Sequence, residues 1–386
     1  MQPTFSELTK KQLFLLACAV AATAANLYYT QPILPLIGES LGVKESALGA
    51  IPALAQIGYA IAIIFISPLG DVVVRRKIIA LLSVLLFVGA SIASVSSHIM
   101  MLGVACVLIG LSANITQQII PLVGSMMRGD KKGPAIATVM TGLTVGILLS
   151  RTISGTIATH FGWRAVFIMS ALLAGLVGLM LYLILPNQKP NLSMSYTALL
   201  KSLLQLFKKY KTLRKATYTG MIWFAAFNAL WATLALHVSE APFYFNAQQA
   251  GMFGIVALAG VAGAKLAGKW VNQLGAAKSV SYSILIIVSG FALSVFTQNM
   301  LWGLVASILL IDFGVFSAQV ANQVRVFSID AQAQSRVNSI YMLGYYIGGA
   351  IGSSTGVTLY SLFGWSGVSA IAGAVLIISL FINSFR

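Results

Sequence analysis

The stretch G-L-T-V-G-I-L-L-S-R-T-I-S at residues 142–154 sets Gly142, Gly146, Ser150 and Ser154 four residues apart, and G-Y-Y-I-G-G-A-I-G-S-S-T-G at 344–356 sets Gly344, Gly348, Gly352 and Gly356 at the same spacing. The runs are offset by 202 residues (142 to 344). The same offset carries Asn26 to Asn228, Gly58 to Gly260, Gln117 to Gln319, and Phe161-Gly162-Trp163 to Phe363-Gly364-Trp365. One offset kept at separated places marks an internal duplication in which the two copies run in parallel.

The duplicated unit is membrane-like. Apolar residues fill 58% of the 386 positions and charged residues only 8%, against roughly 25% charged in soluble domains. Apolar windows fall at 13–36, 47–69, 78–96, 99–126, 135–158 and 165–186, then at 216–239, 250–272, 279–298, 301–324, 337–360 and 367–383. Each holds about 20 residues, enough for a helix to cross ~30 Å of hydrocarbon. The spacing predicts an all-α membrane protein of twelve helices in two pseudo-symmetric six-helix halves, residues 1–186 and 216–386, joined by a linker at 187–215. Parallel repeats of this kind build secondary transporters that rock around a central site.

A net charge of +16 raises the question of a nucleic-acid partner, and the placement of the charges answers it. With the N-terminus inside, 20 of the 24 Lys and Arg fall in or beside cytoplasmic segments, and only Lys44 and Arg164 fall in outer loops. That asymmetry predicts a multi-pass protein of the bacterial cytoplasmic membrane with both termini in the cytoplasm, and it explains the basic balance without nucleic acid. The linker carries Leu199, Leu200, Leu203, Leu206 and Phe207 at helical spacing with Lys201, Lys208 and Lys209 turned away. It reads as an amphipathic helix on anionic membrane lipid.

The loop S-P-L-G-D-V-V-V-R-R-K at 67–77 resembles the signature G-x-L-[AG]-D-R-x-G-R-[RK] of the major facilitator superfamily, departing from it at Ser67, Val72 and Val74. A worn copy places Gly268, Asn272, Gly275 and Lys278 after the eighth window. The resemblance covers essentially the whole chain and implies the twelve-helix fold, a monomer, and a small-molecule substrate. Within the superfamily the chain resembles the branch that exports drugs, sugars and nucleosides in exchange for H+. The fifth window has Gly142 and Gly146 but lacks the Pro of the exporters' G-x-x-x-G-P-x-x-G-G pattern. Physically, Asp71 beside Arg75 and Arg76 is a candidate cytoplasmic latch, because one carboxylate can hold basic groups and helix ends together until the halves move. Small residues let apolar helices approach closely in lipid, so Gly142, Gly146, Gly344, Gly348, Gly352 and Gly356 are expected to pack between the halves.

Charge inside a membrane span is costly and marks function. Arg151, Lys265 and Asp312 lie well inside apolar windows. At 1.5 Å per residue, Arg151 sits about 12 Å and Asp312 about 16 Å from the outer end, with Lys265 about 10 Å from the inner end. The expectation is a carboxylate for proton coupling, Asp312, with Arg151 and Lys265 as buried charge partners. The resemblance implies that spans one, four, seven and ten line the cavity, which gives Asn26, Tyr28, Tyr29, Gln31, Asn114, Gln117, Asn228, Trp231, Gln319 and Asn322 as candidate substrate contacts. Pro32 and Pro35 predict a kinked first helix.

Two functions follow: proton-coupled efflux of a small organic molecule, or uptake or exchange of an anionic metabolite held by Arg151 and Lys265. The letters G-x-S-x-G at 352–356 lie within a helix and not at a strand-to-helix turn, and there is no H-E-x-x-H and no metal cluster. Neither an enzyme nor a cofactor is expected.

Overall fold

The computed structural model describes residues 7–127, 129–187, 195–330 and 333–384, and among these there is helix and turn but no strand. Among the described residues, nine helical segments are long and apolar enough to cross a membrane. The last of them, Gln334–Ser384, is two spans that meet at Gly364. Residues 10–41 and 247–274 are two further passes whose helices are interrupted, so the described residues make twelve.

Span 1 comprises Lys10–Ala25, Gln31–Ile33 and Leu34–Leu41; span 2, Ala50–Phe65; span 3, Arg75–Ser94; span 4, Ile99–Ser112 and Ile115–Met126; span 5, Lys132–Phe161; span 6, Trp163–Ile184. After a linker helix, Tyr196–Lys209, come span 7, Lys211–Ser239; span 8, Ala247–Val256 and Ala259–Leu274; span 9, Ala276–Phe296; span 10, Leu301–Phe327; and spans 11 and 12 on either side of Gly364. The near end of the bundle is the one where Lys10 starts span 1; the far end carries the turn at Gly42.

Local chemistry sets these boundaries. Thr9 and Gln12 form a capping box at the start of span 1, and Asn246 and Gln249 form another at the start of span 8, each satisfying helix N–H groups that have no partner within the helix. Gly162 and Gly364, equivalent in the repeat, have φ of 80° and 64°. Only glycine takes that backbone cheaply, so Phe-Gly-Trp reverses the chain between spans 5 and 6 and again between 11 and 12, and the Trp163 and Trp365 rings are buried behind the turns. The two signature-like loops differ for the same reason: Gly275 has φ of 81°, whereas Val74, in the matching place, has φ of −58° and follows a short 3-10 turn, Ser67–Asp71. A valine cannot adopt the glycine conformation.

The glycine runs correct the expectation that they separate the halves. A Cβ on Gly142 or Gly146 would meet Ala17 or Ala21 of span 1, and one on Gly344, Gly348, Gly352 or Gly356 would meet Thr217, Met221, Ala225 or Ala229 of span 7. All six therefore pack within their own half, span 5 on span 1 and span 11 on span 7. The sequence shows small residues on one helix but not the small partners on another, here mostly Ala, that make the closest approach possible. Gly352→Leu should cost ~3 kcal/mol or more by overpacking against the Ala225 backbone. A lowered Tm and loss of monodisperse protein would register this, with Gly133→Leu, whose Cβ would meet nothing within 4 Å, as the tolerated control.

Contacts between the halves lie elsewhere. At the far end span 5 packs on span 8 and span 2 on span 11. There Gly155 approaches the Ala247 carbonyl, Gly251 that of Arg151, and Gly49 that of Ser353. The Thr152 hydroxyl donates to the Gly251 carbonyl at 2.9 Å, and the Gln248 N–H donates to Thr159 Oγ1 at 2.9 Å. The linker helix buries Leu199 and Leu206 while Leu204, Lys201, Lys208 and Lys209 stay exposed. Its Tyr196 hydroxyl donates to the Phe65 carbonyl at 2.7 Å, so part of its apolar face rests on the protein itself. Residues 188–194 of the expected linker lie outside the described residues.

Candidate functional site

The first span breaks where the sequence placed its kink. Helix stops at Ala25 and restarts as a short 3-10 turn at Gln31–Ile33 that contains Pro32, because proline has no N–H to continue the hydrogen-bond ladder. The break points Gln31 at Arg151 of span 5. Arg151 Nε donates to Gln31 Oε1 at 2.8 Å, and its guanidinium carbon lies 3.8 Å from the Trp231 ring centroid and 5.1 Å from that of Tyr28. Arg151 is 1% exposed. A cation held between two aromatic faces and one amide thus bridges spans 1, 5 and 7.

Asp312 of span 10 is 0% exposed, and neither carboxyl oxygen has a hydrogen-bond partner. Arg151 is within electrostatic reach of it, yet no ion pair joins them at 4 Å or less. Lys265 corrects the expectation of a third buried charge, because it is exposed. Span 8 packs on span 10 through Gly260 and Gly263, and Lys265 lies about 200° around the helix from Gly263. An apolar window reports depth in the membrane but not the face a side chain takes.

The other candidates divide into ties within one half and bridges across the centre. Asn26 donates to the Ala22 carbonyl at 2.8 Å and accepts from Ser170 of span 6; Asn114 donates to Ser67 Oγ at 2.8 Å; Asn322 donates to the Ala216 carbonyl at 2.9 Å; and Gln319 accepts from Tyr341. These hold helices within a half. Tyr29 is buried among core side chains. Gln117 donates to the Tyr59 hydroxyl at 3.0 Å within the first half, whereas across the centre Gln56 of span 2 donates to Asn228 Oδ1 of span 7 at 3.4 Å. Tyr59 stands 4.3 Å from Tyr346 of span 11, centroid to centroid, and Tyr345 stacks on Phe224 at 3.6 Å.

This aromatic floor, with Gln56, is what sequence reasoning missed. Its signal was present: Tyr345 and Tyr346 interrupt the glycine run of span 11, and Tyr59 follows Gly58. Large rings set among glycines fill a gap that the glycines open.

A cavity of about 340 Å³ opens at the far end, lined by both halves through Pro32, Pro35, Ala158, Ala235 and Phe245, with Glu39 at its wall. Beneath it a neck of about 10 Å³ is lined by Gln31, Arg151 and Trp231. The two share Pro32, Ala235 and Ala250, so the far-end cavity adjoins the pocket at Arg151.

At the near end, Arg75 Nη2 and Asp71 Oδ1 form an ion pair at 2.7 Å, and Arg75 Nη1 donates to Gln118 Oε1 at 3.1 Å. Gln118 in turn donates to the Ile66 carbonyl at 3.2 Å. These bonds tie spans 2, 3 and 4 together. Arg76 is turned away, over the Tyr182 ring at 4.2 Å, so the pairing expected for two arginines is made by Arg75. Asp71→Asn should loosen this tie by only ~1 kcal/mol, as fits a partly exposed pair, which a modest drop in Tm that vanishes at high salt would reveal.

The chain resembles transporters throughout its length. A family model described as the Major Facilitator Superfamily matches residues 16–329. The "Uncharacterized transporter YgaY" of Escherichia coli O157:H7 is 31% identical over 376 residues, an alignment covering 97% of this chain and 95% of that one. Among solved structures, a bacterial homologue of the human lysosomal transporter Spinster, captured inward-facing and unoccupied, matches 96% of this chain and 95% of its own with a TM-score of 0.80 at 14% identity. A mutant of the nucleoside transporter NupG matches 96% and 98% with a TM-score of 0.78 at 14% identity. By the family match, the relative and the twelve-helix fold, this chain belongs to the Major Facilitator Superfamily of multi-pass membrane transporters, which are not enzymes.

Proposed function

We propose that this transporter exports a small organic molecule across the bacterial cytoplasmic membrane in exchange for H+, with Asp312 as the proton carrier. The observation that carries the reading is a carboxyl group sealed inside a span with no donor to either oxygen. An ionised carboxylate in such surroundings costs many kcal/mol, so the acid is at home here in its neutral form. In an arrangement where water or Arg151 reaches it, it ionises, and alternation between the two is what couples protons to transport.

The rocking units in this reading are residues 1–186 and 216–386, acting as a monomer, with the 187–215 linker as tether. The distribution of Lys and Arg supports a cytoplasmic near end, so that the far-end cavity faces outside. The sealed contacts of span 5 on span 8 and span 2 on span 11 then form the outer gate.

Uptake or exchange of an anion is the second reading. It is favoured by the lack of an acidic partner on Arg151, and it stands without Lys265. Counterflow in proteoliposomes separates the two readings. Export in exchange for protons predicts accumulation that follows an imposed pH gradient, with the substrate moving against the proton. Anion exchange predicts counterflow that requires an anion on the opposite side and ignores the gradient.

A further inference from the structure

Buried hydrogen-bonding groups in folded proteins are almost always satisfied, yet three unsatisfied donors meet at the neck of the far-end cavity. They are Arg151 Nη2, Gln31 Nε2 and Trp231 Nε1. The residues are 1%, 1% and 2% exposed, and all three line the same narrow pocket. Each of the three atoms can donate and none can accept. The acceptor of Gln31 is already taken by Arg151, so these three side chains offer donors alone. A buried guanidinium with no anionic partner is a costly arrangement, and a negatively charged group with two or more acceptor oxygens completes it.

We propose that Arg151, Gln31 and Trp231 form the recognition site for the carboxylate of a small organic monoanion, the chemical class that this protein transports. The inference rests on the transporter reading and adds the substrate's head group. A planar carboxylate matches the fork of one guanidinium, and the single positive charge at the neck suits a single negative one. The neck, about 10 Å³, has room for no more than the tip of a head group, so a hydrocarbon or aromatic body falls in the adjoining cavity of about 340 Å³, which shares the apolar Pro32, Ala235 and Ala250. Glu39 at the cavity wall disfavours a second negative charge.

Isothermal titration of the purified full-length protein, with no gradient present, tests this with hexanoate and benzoate against hexanamide and benzamide. The acids should bind and the amides should bind at least tenfold more weakly. Arg151→Gln should weaken the acids on the order of 30-fold or more, as expected when one partner of a buried charged pair is removed. Trp231→Phe, which keeps the ring and loses the N–H, and Gln31→Ala should each weaken them about three- to tenfold; they decide the matter if Arg151→Gln does not fold. No binding of either acid, equal binding of acid and amide, or unchanged affinity in the variants overturns the site. Equal competition by inorganic phosphate overturns the carboxylate assignment. Because binding is read without a gradient, a negative result leaves proton coupling standing, and failure of proton coupling leaves a positive result standing.

Discussion

Asp312→Asn is expected to abolish uphill transport while leaving downhill exchange in place. Asparagine keeps the shape of the side chain and cannot ionise, so substrate still binds and the halves still rock, but no proton is carried. Each pH unit is worth about 1.4 kcal/mol per proton. A one-for-one exchanger therefore concentrates its substrate about tenfold per unit of gradient, and the variant should fall to a ratio of about one. The loss should be specific. Because neither Asp312 oxygen has a partner, the substitution removes no hydrogen bond, and the Tm should hold or rise. A variant that accumulates substrate normally would show Asp312 to be a structural acid.

Gly251→Leu should arrest the cycle with the outer gate unable to close. An ideal Cβ at Gly251 would lie 2.4 Å from the Arg151 carbonyl oxygen, a backbone atom fixed in span 5, so neither partner can yield without parting the helices. Overpacking of this kind costs about 1–3 kcal/mol or more, and here the cost falls on one conformation only, which shifts the population to the other. Transport should drop by at least tenfold. A cysteine placed at Ala158, in the far-end cavity, should react faster with an impermeant thiol reagent once Cys18 and Cys106 have been replaced. Gly268→Leu, in the same span with nothing within 4 Å of its Cβ, is the control that should transport normally. Unchanged labelling with full transport in Gly251→Leu would mean that the contact between spans 5 and 8 is not a gate.

How much of this was legible beforehand follows from what periodicity encodes. The span count and the break at Pro32 are local properties, set by hydrocarbon length and a missing N–H, so they stood in the sequence, whereas Phe-Gly-Trp at 161–163 and 363–365 was read as a repeat anchor and shows itself as a turn only through the backbone of Gly162 and Gly364. Facing is not local. Lys265 occupies a deep position in an apolar window, yet its direction depends on Gly260 and Gly263 taking the side that meets span 10. The glycine runs were visible, but their partners at Ala17, Ala21, Ala225 and Ala229 look like any other alanines until the helices are placed. Arg151 and Asp312 were found as buried charges and expected to pair. Gln31, Tyr28 and Trp231 hold the guanidinium instead, because the span 1 break brings an amide to it and two rings cover it.

The most direct test of the central claim is proton movement itself. Everted membrane vesicles, acidified inside by respiration and reported by a pH-sensitive dye, should lose protons when a transported compound is added outside, as substrate enters and H+ leaves. Wild-type vesicles are predicted to respond in this way, while Asp312→Asn vesicles should stay acid although their counterflow persists. A response of equal size in Asp312→Asn, or uptake by the wild type with no change in internal pH, would contradict proton exchange through this carboxyl group.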